Sequence, residues 1–402
     1  MAAGTITLAN ISNSLKITYA KGMEKIAYKN HPLLGMIPKE SEFEGKSYNQ
    51  SIRNAAMQGR SATFTTAQAQ VGTNEYNEFT ITARKNYSIF RIEGQVIAMA
   101  KGAGAYVEQL SDAIDGAIQV IYRGASGTRG RVAAFPAATT LQLATIEDVI
   151  NFELGMEVGS SATDGTGAAD VGTATITAID RVNGILTTDG GGWVAQIPAI
   201  LVNNFLFTSG DYNLKMQGLD SWVPTDRTGL AVAFNGVTRS VDPDRLAGMF
   251  FDGAGGPIET TLNNAVGLAF RMGCRTIDTC MMNPVDMGDL VNAISNRIRE
   301  PRPTTRKAET VGKASIGYEG FAVTTPSGTI EVFSDPFCPK GTFRLLTLDT
   351  WKLKTAGKAP DFLMADDQKI LRVAADDAYE GRVGYYGNVV CKNPGANMVV
   401  LR

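Results

Sequence analysis

Residues that could perform acid–base or metal chemistry are scarce in this sequence. Among its 402 residues there is one histidine, His31, and it precedes Pro32 in a loop-like segment. Histidine is the commonest general base and the commonest metal ligand. A single copy without a carboxylate-rich motif around it disfavours a catalytic triad, a zinc site and an iron site. The sequence therefore predicts no catalytic residue and no metal ligand.

The cysteines are also poor candidates for chemistry. They lie far apart and form no CxxC pair, at Cys274, Cys280, Cys338 and Cys391. In a long chain this pattern is typical of reduced thiols packed in a cytosolic protein. The first residues lack the basic and apolar regions of a signal peptide, and no apolar run is long enough to span a bilayer. We therefore expect a soluble protein made in the cytoplasm, without a membrane partner.

Two glycine-rich segments match phosphate-binding motifs only in part. Gly102 and Gly104 follow a strand-like stretch and precede a helix, but Val107 occupies the third glycine position of a dinucleotide fingerprint. Three carboxylates on that helix would also repel a pyrophosphate. The segment 124–130 lacks the Gly-Lys-Ser/Thr ending of a P-loop. No cofactor is predicted, and an enzyme is the least supported functional class.

The composition is that of a globular protein, with 44% apolar and 19% charged residues. Lysine and arginine number 38 against 40 aspartates and glutamates, which gives a net charge of −2. This balance supplies no basic excess that could condense nucleic acid. The length predicts two or three domains.

The first part of the chain does not look self-contained. Residues 1–60 carry eight basic and four acidic side chains, and the apolar residues of 1–46 are too sparse to form a core. From Ser47 the pattern becomes extended, with strand-like stretches over Tyr48–Ile52 and 77–94 on either side of a polar segment. These features predict that 1–46 is either an arm lying on another surface or a frayed terminus, and that 47–94 is a long β hairpin. Its polar tip has too little apolar content to hold its shape on one subunit.

The clearest predicted helix covers residues 105–124, in a segment that runs over 95–139. Apolar residues recur there at helical spacing, and carboxylates occupy the other face. The next segment, 140–215, is predicted to be a small acidic β-rich insertion, for which a barrel is one candidate form. Its Asn183-Gly184 pair indicates a two-residue type I′ turn. The carboxylates lack calcium-loop spacing, which favours a solvated outer face.

After Trp222 the pattern is α/β. Helix-like stretches begin at Asp242-Pro243, at Pro257 and at Asn283-Pro284, and the first of them is expected to continue through Met249 and Phe250. A buried strand is expected at 277–282, and later strands at Phe321–Thr325, Thr329–Phe333 and Phe343–Thr347. The basic segment 297–313 is expected to be a mobile loop. The chain should end in a hairpin of Gly381–Val390 and Asn397–Leu401.

In this order the elements resemble the major capsid protein of tailed bacteriophages, which has the Hong Kong 97-type shell fold. The similarity is carried by four stretches: Asn77–Gly94, Ala105–Gly124, Cys280-Met-Met-Asn-Pro284, and Phe333–Pro336 followed by Gly341–Thr347. They are similar, respectively, to the return strand of the family's E-loop, the spine helix of its P-domain, its strand-to-helix step and its late axial hairpin. The resemblance implies an α+β fold with an N-arm over 1–46, an E-loop over 47–94, P-domain residues over 95–139, an inserted domain over 140–215, an A-domain with part of the P-domain over 216–370, and C-terminal P/A-domain strands over 371–402.

The resemblance also implies a function. A protein of this family is a structural protein, not an enzyme, and assembles as pentamers and hexamers into an icosahedral head shell around double-stranded DNA. Its implied partners are copies of itself, a scaffolding protein, a portal and a decoration protein, with only weak, nonspecific contact with the packaged DNA. Its implied location is the virion capsid, after assembly in the host bacterial cytoplasm. The alternatives are an encapsulin-like nanocompartment shell protein and a tail-tube or other ring-forming phage protein.

Overall fold

The computed structural model describes residues 5–6, 32–41, 43–55, 59–72, 74–93, 128–164, 167–274, 276–295, 303–307, 317–325, 328–357, 361–362, 370–373 and 376–402. His31, the predicted helix over 105–124 and most of the predicted arm lie outside the described residues.

The described strands are short for the most part. In chain order they are β1 (Thr5–Ile6), β2 (Lys39–Glu40), β3 (Ser47–Ala55), β4 (Glu75–Thr82), β5 (Arg84–Glu93), β6 (Gly130–Ala137), β7 (Thr140–Leu143), β8 (Glu157–Ser161), β9 (Ala174–Asp180), β10 (Ile185–Thr188), β11 (Phe205–Thr208), β12 (Met249–Asp252), β13 (Thr279–Met282), β14 (Pro303–Lys307), β15 (Gly317–Thr325), β16 (Gly328–Ser334), β17 (Thr342–Leu346), β18 (Trp351–Thr355), β19 (Asp361–Phe362), β20 (Ile370–Arg372), β21 (Ala378–Cys391) and β22 (Met398–Leu401). The described α-helices are α1 (Pro32–Met36), α2 (Phe64–Ala69), α3 (Trp193–Gln196), α4 (Leu219–Trp222), α5 (Pro243–Leu246), α6 (Ile258–Arg271) and α7 (Pro284–Ser295).

The strands form three large units and one small one. The first sheet has the order β1-β5-β21-β18-β2, with β19 and β20 also paired to β21. The second unit is a closed barrel with the order β10-β7-β6-β11-β8-β9. The third is a mixed sheet with the order β12-β22-β17-β13-β16-β15-β14, and the fourth is the two-stranded ladder of β3 and β4.

The third sheet confirms most of the predicted α/β elements. Helix α6 buries Ile258, Leu262, Ala265 and Ala269 against the sheet, as their helical spacing predicts. All four residues of β13 are buried. Helix α7 begins where Asn283-Pro284 predicts, because the Asn283 Oδ1 accepts a hydrogen bond of 3.0 Å from the Val285 amide.

The predicted helix through Met249 and Phe250 is wrong beyond Leu246. Helix α5 ends there, and Gly248 follows with a φ of +75° that helical residues do not adopt. Met249 and Phe250 instead lie in β12, in parallel register with Met398 and Val399 of β22. The reason is tertiary, because the pairing partner lies at the other end of the chain.

The predicted C-terminal hairpin is also wrong, although both of its strands exist. Strand β21 pairs with β5 and β18 in the first sheet. Strand β22 pairs with β12 and β17 in the third sheet. Each strand is buried in a different sheet, so the short Asn393-Pro-Gly connection passes between two sheets instead of turning within one.

The predicted loop over 297–313 contains a strand. Strand β14 pairs antiparallel with β15 from Pro303↔Phe321 to Lys307↔Gly317. Because β14 is the outer strand of its sheet and Pro303 is its first residue, the missing proline N–H does not interrupt the ladder. Pairing with β15, the next described strand along the chain, therefore overrides the loop signal of the prolines.

The barrel has its own apolar core and begins at Gly130, upstream of the start expected at residue 140. Closure leaves no open sheet edge. Strands β9 and β10 form a hairpin, but it has a loop over 181–184 instead of the expected two-residue turn. The Asp180 Oδ1 stabilises this longer loop by accepting hydrogen bonds from the amides of Val182 (3.0 Å) and Asn183 (3.1 Å).

Candidate functional site

The described residues contain little that could perform chemistry. Within them there is no group of three or more His, Cys, Asp or Glu side chains that could hold a metal ion. None of their helices is both long and apolar enough to cross a membrane. Burial raises the pKa of the Cys280, Cys338 and Cys391 thiols, so these groups stay protonated at neutral pH and are poor nucleophiles. The strongest candidate site among the described residues is a binding surface, the hairpin of β3 and β4.

The hairpin is a regular two-stranded ladder. Its register runs from Ser47↔Thr82 to Arg53↔Tyr76, and a bulge follows before Ala55. At about 3.4 Å per residue, the eight residues of β4 span roughly 27 Å. An isolated two-stranded ladder is marginally stable in water. The hairpin therefore needs support from other parts of a structure along its whole length.

The base of the hairpin has this support. Ile52, Phe79 and Ile81 are buried in the largest apolar core, and they alternate with polar residues that face solvent. The Phe79 ring centre lies 5.3 Å from that of Trp222 and 6.3 Å from that of Phe234. Burying a phenylalanine side chain in this way stabilises the folded chain by about 1.5–3 kcal/mol.

Two arginine side chains fix helix α4 and Phe234, which form the surface that contacts Phe79. The Arg239 guanidinium lies 4.3 Å from the Phe234 ring centre and donates a hydrogen bond of 2.6 Å to the Ser221 carbonyl. Burial lowers the pKa of Arg239 to about 10, so the group remains charged at neutral pH. Arg344 makes a buried ion pair of 2.7 Å with Asp220 on the same helix α4. The surface that receives Phe79 is therefore held in position.

A second set of polar contacts links the hairpin to its neighbours. The Lys354 ammonium lies 4.6 Å from the Tyr48 ring centre and pairs with Glu40. The guanidinium of Arg245 donates to the Asn54 carbonyl near the far end of β3. These contacts bind β3 to strands β2 and β18 of the first sheet and to helix α5.

The tip of the hairpin differs from its base. Helix α2 has no buried residue, and the Phe64 side chain is 80% exposed. Val71 and Tyr76, on the returning chain, are 74% and 62% exposed. The run Ser61–Gly72 contains no charged residue. A large aromatic group at an uncharged tip costs free energy in water and is typical of a residue that anchors a protein interface.

The structure brings together residues that the sequence does not mark. The predicted return strand over 77–94 is two strands, because β4 ends at Thr82 and β5 then joins the first sheet. Phe79 and Ile81 could be identified from their alternation. Trp222, Phe234 and Arg239 could not, since they lie far away in sequence and carry no motif.

The acidic residues of the barrel are mostly engaged in local contacts. Asp164 accepts a hydrogen bond of 2.7 Å from Thr128, and Asp170 accepts one of 2.9 Å from Asn204. Hydrogen bonds from Asn183 lower the pKa of the exposed Asp180 carboxyl. These carboxylates stabilise loops of the barrel.

Comparison with known proteins identifies the fold. No protein-family model and no curated protein matches the chain. Among solved structures, the chain is similar to the capsid of cyanophage A-1(L), with a TM-score of 0.50, 12% identity and 92% of each chain covered. The protein thus has the Hong Kong 97-type capsid fold, in agreement with the α+β architecture that the sequence resemblance implies.

Two further similarities have lower TM-scores. A structure from Mycobacterium phage Bobi gives a TM-score of 0.40 at 12% identity, with 99% of each chain covered. An encapsulin complex from Synechococcus elongatus PCC 7942 gives a TM-score of 0.45 at 7% identity, with 98% of this chain and 95% of that chain covered.

Proposed function

We propose that the protein is a shell subunit, the major capsid protein of a tailed bacteriophage. In this proposal it assembles as pentamers and hexamers into an icosahedral head shell that encloses double-stranded DNA. One observation carries the proposal: a chain with a capsid fold carries a hairpin whose base is buried in the core, whereas helix α2 at its tip buries no residue.

The exposed tip argues for contact between copies. Phe64 follows the β3 end of the ladder and is 80% exposed, whereas Phe79 within the ladder is fully buried. A tip on one copy that binds a different surface on the next copy is a heterologous contact, which repeats around a ring until the ring closes. Pentamers and hexamers are such rings. The capsid fold favours this shell over the tail-tube alternative.

The same assignment extends to the other segments and partners. Residues 1–46 would be the N-arm, 95–139 P-domain residues with the spine helix, 140–215 the inserted domain, 216–370 the A-domain with part of the P-domain, and 371–402 the C-terminal strands. A scaffolding protein, a portal and a decoration protein would be partners during assembly in the host bacterial cytoplasm, and the virion would be the final location. A net charge of −2 fits DNA that is packaged by a motor and contacted only weakly by the shell. The subunit would have a structural role and no catalytic one.

A deletion of the tip tests the proposal. Residues 61–70 can be removed without stretching the chain, because a Cβ built on Gly59 would lie only 3.5 Å from the Val71 Cα. We expect the full-length chain, co-expressed with its scaffolding protein, to form closed particles in electron micrographs. The shortened chain should remain a folded subunit that forms none.

Two results would contradict the proposal. Normal closed particles from the shortened chain would show that the tip is not an assembly contact. Open tubes or small soluble species from the full-length chain under all conditions would show that it is not a shell subunit.

A further inference from the structure

Three side-chain amides meet where the hairpin joins the body. Gln217 and Asn388 are buried and Asn235 is half-buried. Gln217 and Asn235 exchange two hydrogen bonds of 2.9 Å, one from each side-chain amide to the other's oxygen. The Asn388 Nδ2 donates to the Gln217 Oε1 at 3.1 Å. We refer to Gln217, Asn235 and Asn388 as the amide latch.

The Asn388 side chain contacts the hairpin just beyond the last backbone pair between β21 and β5. Strands β21 and β5 pair up to Gly387↔Arg84, and the next residue of β21 is Asn388. Its Nδ2 donates to the Thr82 carbonyl at 3.1 Å, and its Oδ1 accepts from the Gln217 amide at 2.9 Å. One side chain therefore links the last residue of β4 to the first sheet and to the segment before α4.

Asn235 binds the hairpin at Thr80, two residues before Thr82 on the same strand. Its carbonyl accepts a hydrogen bond of 2.9 Å from the Thr80 amide. The Asn235 backbone has a φ of +49°, a left-handed conformation that asparagine tolerates better than most residues. Backbone groups of alternate strand residues point to the same edge, so Thr80 and Thr82 are both held at the edge of β4 that faces away from β3.

The hydrogen bonds of the amide latch restrict the angle between the hairpin and the body, which the apolar contacts at the base do not. Burial of Phe79 and Ile81 is nearly independent of direction, so it would hold the hairpin on the body without determining its angle. Hydrogen bonds weaken steeply away from linear geometry, and a satisfied buried network is rigid. The bonds to Thr80 and Thr82 restrict the rotation of β4 about its apolar contacts.

We propose that the amide latch is a positioning device that sets the direction in which the hairpin leaves the body. In assembly, this direction determines the angle at which neighbouring copies meet, and hence the curvature of the shell. The second consequence rests on the proposed function, whereas the first is a property of the single subunit. Gln217, Asn235 and Asn388 are thus positioning residues and need not touch a neighbouring copy.

A pair of asparagine variants tests the latch. Asn388→Ala removes its central member. Asn397→Ala is the matched control, because Asn397 is equally buried and its side chain bonds Thr347, Thr350, Trp351 and Asn393, none of which belongs to the hairpin. Both variants should lose comparable stability from a broken buried network. Only Asn388→Ala should change the hairpin direction.

The direction is measured on the full-length unassembled subunit. Spin labels on Gln68→Cys at the tip and Asp349→Cys on the body, with Cys274→Ser to limit background labelling, report the distance between the two by pulsed electron resonance. We expect Asn388→Ala to broaden and shift this distance distribution, and Asn397→Ala to leave it unchanged. Hydrogen exchange at the Thr80 amide should become faster on the order of tenfold in Asn388→Ala.

An unchanged distribution in folded Asn388→Ala, or equal broadening in both variants, would overturn the proposal. If Asn388→Ala does not fold, the same distance measurement is made on Asn235→Gly, with the same expected and contradicting results. Glycine tolerates the positive φ at this position, so the substitution removes only the side-chain bonds to Gln217. Particle diameters are a separate readout. A broadened distribution in Asn388→Ala, with no particles from the unsubstituted chain, would support the latch and reject the proposed function, while particles of altered diameter from Asn388→Ala would support both.

Discussion

The barrel and the hairpin are both built from short antiparallel strands, but they stabilise those strands in different ways. The barrel closes its six strands around its own core, which includes Leu141, Leu186 and Trp193. The hairpin has two strands and contributes its apolar base to the core of the body, while Phe64 at its tip remains exposed. A closed sheet is complete within one chain. An open two-stranded ladder depends on whatever lies beside it, and this dependence suits it to contacts between copies.

The largest effect on subunit stability is expected from Phe79→Ala. Removing a fully buried aromatic side chain that contacts Trp222 and Phe234 should lower the free energy of unfolding by about 3–5 kcal/mol. Hydrogen exchange should show that the amides of β3 and β4 lose protection. Chemical denaturation of the purified subunit measures the total loss.

Leu186→Ala in the barrel is the counterpart of this variant. Removing this fully buried side chain should lower the free energy of unfolding of the barrel by about 2–5 kcal/mol. Hydrogen exchange should become faster at the barrel amides, while the amides of β3 and β4 keep their protection. If either variant deprotects both units equally, the barrel and the hairpin are not stabilised separately, and the comparison fails.

An intermediate effect is expected from Gly192→Ala in the barrel. Gly192 has a φ of +111°, and an added Cβ would lie 2.3 Å from the Ala138 carbonyl oxygen. Backbone strain of this kind costs about 1–3 kcal/mol. Gly210→Ala is the control, since Gly210 also has a positive φ of +81° but has open space around its Cβ position. Equal thermal shifts in the two variants would indicate that the barrel can relax around the new methyl group.

The smallest effect on stability, but a large effect on assembly, is expected from Phe64→Ala. An exposed side chain contributes within about 0.5 kcal/mol to folding, so the melting temperature of the subunit should hardly change. Particle formation should fall sharply, because the proposed contact loses its aromatic anchor. Val182→Ala, at a position that is 82% exposed on the barrel, should affect neither. Sedimentation of assembly reactions measures both variants, and full assembly by Phe64→Ala would remove the tip from the proposed interface.

Much of the local structure could be predicted from the sequence. Alternation of apolar residues located the strand that carries Phe79 and Ile81, and Asn283-Pro284 marked the start of a helix. The amide latch could not be predicted, because Gln217, Asn235 and Asn388 are ordinary polar residues until the fold brings them together.

The sequence by itself determined which short segments favour strands, helices or turns, since those preferences depend on neighbours within a few residues. It also determined that the tip of the hairpin is uncharged and carries an aromatic residue. Only the tertiary structure decided which strands pair, as the separate sheets of β21 and β22 and the strand at Met249 show. Pairing partners lie far apart along the chain, and the free energy of burying their faces together exceeds the local preferences that a sequence displays.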